Sequence, residues 1–522
     1  ESTGAFTGST GGAYWRPLFL LWMLVNRTLF GLEPWGWHLT TVVVHSLAAL
    51  LMYFVALRIL RDRFLAGFAA TLFGVYPVTI ESAAWIAGVT DPLMAVFLLP
   101  AFLVYLKSWE AQSRHWRALS LVFYVLALMV KETAVILPVL VLAHAWLYRG
   151  DVPANLLGSR GRGYSVMRSF LPYAAFTAIY LAERSLVLST GEPPAGTIGI
   201  KAMILTWPAL VSFYLRLLLV PNSISPHYNL RALTEFQAAP VLVPLFFLIV
   251  LAVMIVWVLR RVSAETRRQV VFALVWIVTP MLPVLYISRM APGDFAHIRY
   301  LYFSVIGLAM LLAVIVGKLP VSRNRIFGVP ASQALAAGVL VLASAIATAR
   351  SQQHWENNFT LFAHAVEVAP RNARALTNYA IELGEKKRFD EAIQRFHEAL
   401  SVEPDLWYAN VDLGFTYYLI GRYEEGIRYM QRGTELNPND PQQFTYLAAA
   451  QIKAGRLDLA EEAIRKAIAL APGMPSYHLS LGLILERQGK LEDARNAFLT
   501  ELEIDPANEM ARAKLEQMGQ RN

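Results

Sequence analysis

The chain has 522 residues, of which 56% are hydrophobic and 16% charged, with a net charge of +8 and no cysteine. A soluble domain is ordinarily about 45–50% apolar and about 25% charged, so much of this chain is built for a solvent other than water, and the missing cysteine excludes disulfides, thiolate catalysis and cysteine-ligated metal. Residues 1–350 carry 27 Lys and Arg against 13 Asp and Glu, and residues 351–522 carry 19 against 25; the basic half is the apolar half, which points to membrane orientation and lipid head groups, not to nucleic acid.

In chain order, residues 1–12 (ESTGAFTGSTGG) read as loop, and we expect a transmembrane helix upstream of Glu1. Residues 15–30 hold Arg16 and Arg27 among apolar and aromatic side chains, the pattern of a helix lying in the interface. Span-length apolar stretches follow at 38–60, 64–80, 91–107, 116–131, 132–148, 169–188, 239–259, 269–288, 300–317 and 327–349. Five cationic clusters punctuate them: Arg58, Arg61 and Arg63; Lys107, Arg114 and Arg117; Arg149, Arg160, Arg162 and Arg168; Arg260, Arg261, Arg267 and Arg268; Lys318, Arg323 and Arg325. If all five face the cytoplasm, an even number of crossings separates each neighbouring pair. The apolar stretch 200–220 is then re-entrant or interfacial, inside an external loop from about 189 to 238. Ten spans put Arg350 and all that follows in the periplasm or ER lumen.

The C-terminal half is periodic. Prolines stand at 370, 404, 438, 472 and 506, each 34 after the last, the period of the tetratricopeptide helix–turn–helix unit. Ala380, Gly414, Ala448 and Gly482 form a column of small residues in the first helices, and Ala392, Gly426, Ala460 and Ala494 a second column in the second helices. Phe396 and Phe498 fill the space between repeats, and Tyr417 matches the first helix's aromatic position. The expected fold is therefore all-α: a polytopic membrane bundle over 1–350, then a repeat solenoid over 351–522. The solenoid divides into a half repeat (354–370), repeats 371–404, 405–438, 439–472 and 473–506, and a capping helix (507–522). The second repeat's concave face is read as Tyr408, Val411, Phe415 and Tyr418, an apolar and aromatic groove for a peptide, although some of these side chains could merely pack between repeats.

Ionisable residues at span ends are costly and functional by default. Glu81, Asp91, Lys131 and Glu132, together with Arg289, Asp294, His297 and Arg299, all fall on the outer face in this topology. Such a set suits sugar transfer from a polyprenyl phosphate. Arg289, Arg299, Lys131 and His297 would receive the phosphate, and Asp91 or Glu81 would supply a carboxylate base. The alternative is ion pairs that only hold the bundle together, and Glu132 reads as structural. His38 and His45 share a helical face, but no third ligand stands at metal-binding spacing, so no metal site is expected. Nucleotide-binding motifs are absent.

Several stretches resemble one family: YWRPLFLLWMLVNRTLFGLEPWGWHLTTVVVHSL (14–47), FGVYPVTIESAAWIAGVTDPLMAVFLL (73–99), KETAVILPVLVL (131–142), YLRLLLVPNSISPHY (214–228), IRYLYFSVIGLAMLLA (298–313) and WENNFTLFAHAVEVAPRNARALTNYA (355–380). In order and combination they resemble the bacterial relatives of the transmembrane and TPR-containing O-mannosyltransferases, of the GT-C glycosyltransferase superfamily. The resemblance implies a polyprenyl- or dolichyl-phosphate sugar donor, mannose in particular. It also implies hydroxyl acceptors on exported proteins, and an active site and repeats on the same outer side. By it, Arg299 inherits a donor-phosphate role and Asp91 matches the Asp after Trp-Ile-x-Gly. The family's acidic pair upstream of Tyr-x-Arg-Pro has only Glu1 as a counterpart here. Absent cysteine and richness in Ala and Arg favour a bacterial inner membrane over the ER. A membrane-anchored repeat scaffold without enzymatic activity is the competing reading, and a polymerase using lipid-diphosphate glycans a third.

Overall fold

A computed structural model describes residues 16–150, 161–188, 198–288, 290 and 293–519; Glu1 and Arg160 lie outside them. The chain divides into two compact units, with the break between Leu361 and Phe362.

The first unit is a helical bundle. Its helices are α1 (Pro17–Phe30), α2 (Pro34–Leu60), α3 (Arg63–Val75), the short α4 (Ile80–Ala84), α5 (Thr90–Ala111), α6 (Arg114–Val130), α7 (Leu137–Leu147), α8 (Gly161–Leu188), α9 (Ile200–Leu219), α10 (Ala238–Arg261), α11 (Ala264–Val278), α12 (Tyr302–Gly317) and α13 (Ala331–Gln352). Among the described residues seven helices are long and apolar enough to cross a membrane, and α3 with the segment Pro77–Ala84, bent by 49°, makes an eighth. This is fewer than the ten spans read from the sequence. The stretches 116–131 and 132–148 form shorter helices, and α8 carries Arg168, Glu183 and Arg184.

The bundle has two chemically different ends. At one, Arg58 donates to Glu110 at 2.7 Å, the Gln269 amide donates to the Ile59 carbonyl, and the Arg268 guanidinium sits 5.9 Å from the Tyr148 ring. Leu65 packs on Gly317 there as well. The cationic clusters on α2, α3, α5–α7, α11 and α12 are thus gathered at one common end. The opposite end holds Tyr76, Glu81, Leu285 and Arg299.

Helix α9 is as long as a span, about 30 Å at 1.5 Å per residue, yet both of its ends touch this second end. The Ile198 amide donates to the Ser288 carbonyl, Trp207 Nε1 to the Leu285 carbonyl, and Tyr76 Oη to the Leu218 carbonyl at 2.6 Å. A helix crossing the bundle would leave one end among the cationic clusters. α9 therefore lies along one end, unbroken, where the sequence left re-entrant and interfacial forms open.

Two helices of the bundle approach closely where one of them carries glycine. A Cβ on Gly307 would stand 2.5 Å from the Ala273 carbonyl oxygen and 2.6 Å from the Ile277 nitrogen, so α11 and α12 pass backbone against backbone.

The second unit stacks antiparallel helix pairs: α15 (Ala373–Glu385) with α16 (Phe389–Val402), α17 (Trp407–Leu419) with α18 (Tyr423–Leu436), α19 (Pro441–Lys453) with α20 (Leu457–Leu470), and α21 (Tyr477–Arg487) with α22 (Leu491–Ile504). α14 (Asn358–Val368) precedes them, and α23 (Glu509–Gly519) closes the array. The turn inside each pair places one residue in the left-handed region, 34 residues apart: Lys387 (φ 60°), Gly421 (81°), Gly455 (75°) and Gly489 (78°). Glycine adopts that conformation freely; Lys387 takes it at a cost of about 1 kcal/mol. Buried Ile427, Met430, Leu447, Ile464, Ile484 and Phe498 make one continuous core through the last three repeats. Each such side chain contributes roughly 2 kcal/mol of burial.

Candidate functional site

The stretch YPVTIESAAWIAG folds as a 3-10 turn, the five-residue α4 and another 3-10 turn before α5. This folding requires glycine at 88, because a Cβ there would stand 2.5 Å from the Glu81 carbonyl oxygen. The turn buries Glu81, which is 1% exposed, beneath the start of the 298–317 helical segment. Arg299 grips it twice: Nη1 donates to Oε1 at 2.7 Å and the backbone N–H to Oε2 at 3.0 Å. The guanidinium lies 5.1 Å from the Trp85 ring and 5.4 Å from the Tyr300 ring. Its side chain keeps 22% exposure.

Asp91, in the first turn of α5, pairs with Lys131, the residue that ends α6. Lys131 Nζ donates to Oδ1 at 2.6 Å, and Ser82 Oγ approaches Oδ2 at 3.4 Å. Both members are buried, 3% and 4% exposed. Beside them is a cavity of about 10 Å³, lined by Asp91, Lys131, Thr133, Pro280, Tyr300 and Phe303, which is room for one water molecule. Arg16 and Arg299 are both within electrostatic reach of Asp91 and of Lys131.

A third ion cluster ties α1 to the same end. Arg16 holds Glu132 in a bidentate fork at 2.8 and 3.1 Å, and Arg184 of α8 reaches the same carboxylate at 3.4 Å. The fourth group is His227, whose Nδ1–H donates to Asp294 at 3.0 Å, with His297 donating to the Pro226 carbonyl at 3.2 Å. Burial and the nearby Arg299 cation push His297 down to about 4, so it is neutral around pH 7.

Of the residues expected to work together, the structure brings Glu81, Asp91, Lys131, His297 and Arg299 to one end of the bundle. Arg289 lies outside the described residues. His45 is committed elsewhere, accepting from Tyr302 Oη at 2.8 Å and donating to the Gly74 carbonyl at 3.2 Å; His38 is exposed. Among the described residues no group of three or more His, Asp or Glu could hold a metal ion. The sequence reading gave no role to Arg16, Ser82 or Tyr300. Arg16 stood in the Tyr-x-Arg-Pro stretch, and its position one residue before a helix-starting proline was the available signal.

In the repeat unit, Phe415 stacks on Tyr418 at 5.8 Å and meets Tyr446 of the next repeat at 5.1 Å. Arg374 lies over the Tyr408 ring at 5.6 Å. Val411 is not in that row: it is buried against Gly433, whose missing side chain leaves it room.

Tetratricopeptide repeat family models match residues 385–450 and 447–509. Protein O-mannosyl-transferase TMTC3 of Mus musculus is 25% identical over 95% of this chain and 57% of its own length. The Homo sapiens protein of the same name is 24% identical over 95% of this chain and 58% of its own length, and Drosophila melanogaster Tmtc3 is 25% identical over 90% and 59%. The chain thus resembles the TMTC O-mannosyl-transferases along nearly its whole length. It spans a little under three fifths of the length of these relatives. Among solved structures, a MamA fragment from Desulfovibrio magneticus RS-1 matches 31% of this chain and 94% of its own at 19% identity, with a TM-score of 0.29.

Proposed function

We propose that residues 1–350 form a membrane glycosyltransferase that moves a sugar, mannose in the first instance, from a polyprenyl phosphate to a hydroxyl of an exported protein, and that the repeats of 351–522 engage the acceptor. One observation carries this reading: two buried carboxylate–cation pairs, Glu81–Arg299 and Asp91–Lys131, converge at one end of the bundle. The likeness to O-mannosyl-transferases along 95% of the chain supports it.

The geometry supports a division of labour. Glu81 is enclosed and doubly bonded, so it is a positioning residue that aims Arg299. Arg299, partly exposed and flanked by Trp85 and Tyr300, offers its remaining N–H groups to a phosphate. Asp91 faces the cavity and acts as base. The acceptor oxygen forms the new bond to the sugar's anomeric carbon, and the sugar–phosphate bond breaks with its electron pair on the phosphate. The proton passes to Asp91, while Arg299 and Lys131 neutralise the departing phosphate. In this reading the site faces the periplasm of a bacterial inner membrane, away from the cationic end.

The test uses the chain in nanodiscs with radiolabelled polyprenyl-phosphate mannose and a membrane-free extract of exported proteins. Label on protein with wild type, lost on Arg299→Ala and on Asp91→Asn, is the expected result. No label from mannose, glucose or arabinose donors with a folded protein overturns the transferase in favour of a scaffold.

A further inference from the structure

The concave row of the solenoid contains a charge that neither the membrane chemistry nor the aromatic groove explains. Asp412 lies in α17, four residues after Tyr408 and three before Phe415, which places all three on one helical face. It is half-buried, and its carboxylate has no hydrogen-bond or ion-pair partner among the described residues. The equivalent positions of the other repeats, at steps of 34, are Asn378, Tyr446 and Ser480, all uncharged. Tyr446 is close enough to feel its charge and is in ring contact with Phe415 at 5.1 Å. Several other carboxylates in this unit are answered by cations. Asp405 binds Arg432, Glu391 binds Arg388, and Glu461 is bound by Lys490 and Arg465.

A carboxylate held against aromatic rings with no cation of its own is the complement of a cationic side chain. The rings supply faces for cation–π contact, and the carboxylate supplies a charge-assisted hydrogen bond. We propose that the second and third repeats bind an extended segment of a partner protein through one Lys or Arg, whose charged head sits between Asp412, Phe415 and Tyr446. The inference rests on the groove alone and stands whether or not the membrane unit transfers sugar.

The experiment selects a fully randomised nonapeptide phage library on the full chain in nanodiscs, beside Asp412→Asn and beside Asp405→Asn, a carboxylate outside the groove. Wild type and Asp405→Asn should enrich peptides with Lys or Arg at one fixed position. Asp412→Asn should lose that preference while keeping its apolar ones. The best peptide, synthesised with a fluorophore, should bind roughly ten-fold more weakly by anisotropy when its Lys is replaced with norleucine. It should lose about as much on Asp412→Asn, and little more when both changes are combined. An unfolding temperature of Asp412→Asn no lower than that of wild type keeps loss of folding apart from loss of recognition. The proposal is overturned if Lys and Arg are not enriched, if Asp or Glu is enriched instead, if Asp412→Asn selects the same peptides as wild type, or if no peptide is recovered.

Discussion

Replacing Lys131 with Met keeps most of the side chain's length and removes its charge, which isolates what the Asp91–Lys131 pair does. In the native bundle Asp91 has one short contact, 2.6 Å to Nζ, and one long one, 3.4 Å to Ser82 Oγ. The adjoining cavity of about 10 Å³ admits a single water. Lys131→Met therefore leaves a buried carboxylate with almost nothing to replace its partner, and the cost of breaking such a pair is about 3–5 kcal/mol. Asp91→Asn strands the ammonium in the same way. The double variant strands neither, so its loss should fall short of the sum of the singles by about 2 kcal/mol or more. SDS titration from mild detergent micelles, followed by the fluorescence of the 13 tryptophans, measures all four proteins. Single variants within about 0.5 kcal/mol of wild type, or strict additivity in the double, would refute the claim that this pair joins the start of α5 to the end of α6.

Gly307→Ala drives a methyl into the Ala273 carbonyl and the Ile277 amide and should cost about 1–3 kcal/mol in the same titration; a neutral result would mean α11 and α12 slide apart freely. His297 is held down to about 4 against an ordinary 6.5, so below pH 6.5 the unfolded chain gains a proton that the native one refuses. Its contribution is complete above pH 6.5 and falls with pH, by roughly 2 kcal/mol at pH 5; His297→Gln should lose that slope, and parallel profiles for the two proteins would contradict it. Burial pushes the Asp412 carboxyl up to about 7, so between pH 3.8 and 7 the native state keeps a proton that the unfolded state releases, and stability declines as pH rises through that window. Asp412→Asn should thus unfold later than wild type at pH 8, by on the order of 1–2 kcal/mol after allowing for solvent screening, and equally at pH 4. A constant offset between the two across that range would count against it.

What could be read from the sequence follows from how each feature is encoded. The repeats were legible because the same structural demand recurs every 34 residues, down to the left-handed turn at Gly421, Gly455 and Gly489. Membrane helices were legible from apolar runs, but hydropathy cannot separate a helix that crosses from one that lies along an end. α9 has the composition of a span, and only the hydrogen bonds at both of its ends decide. That Glu81, Asp91, Lys131 and Arg299 share one end was legible from charge placement. Their partners were not: Glu81 and Arg299 are 218 positions apart, and only tertiary packing selects which cation meets which carboxylate. Val411 illustrates the same limit in the solenoid. A helical wheel places it beside Phe415, but the absent side chain of Gly433 draws it inward.

The two ends of the bundle also differ in how an electric field acts on them. A voltage across a bilayer does work of about 2.3 kcal/mol per elementary charge per 100 mV, and that work depends on net charge. Glu81 with Arg299 and Asp91 with Lys131 each sum to zero, so a shift of either pair as a unit is nearly invisible to the field. The clusters around Arg58, Arg114, Arg260 and Lys318 keep a net positive charge even after Arg58 pairs with Glu110. A membrane potential would therefore act on the excess cations at one end and only weakly on the two paired carboxylates at the other.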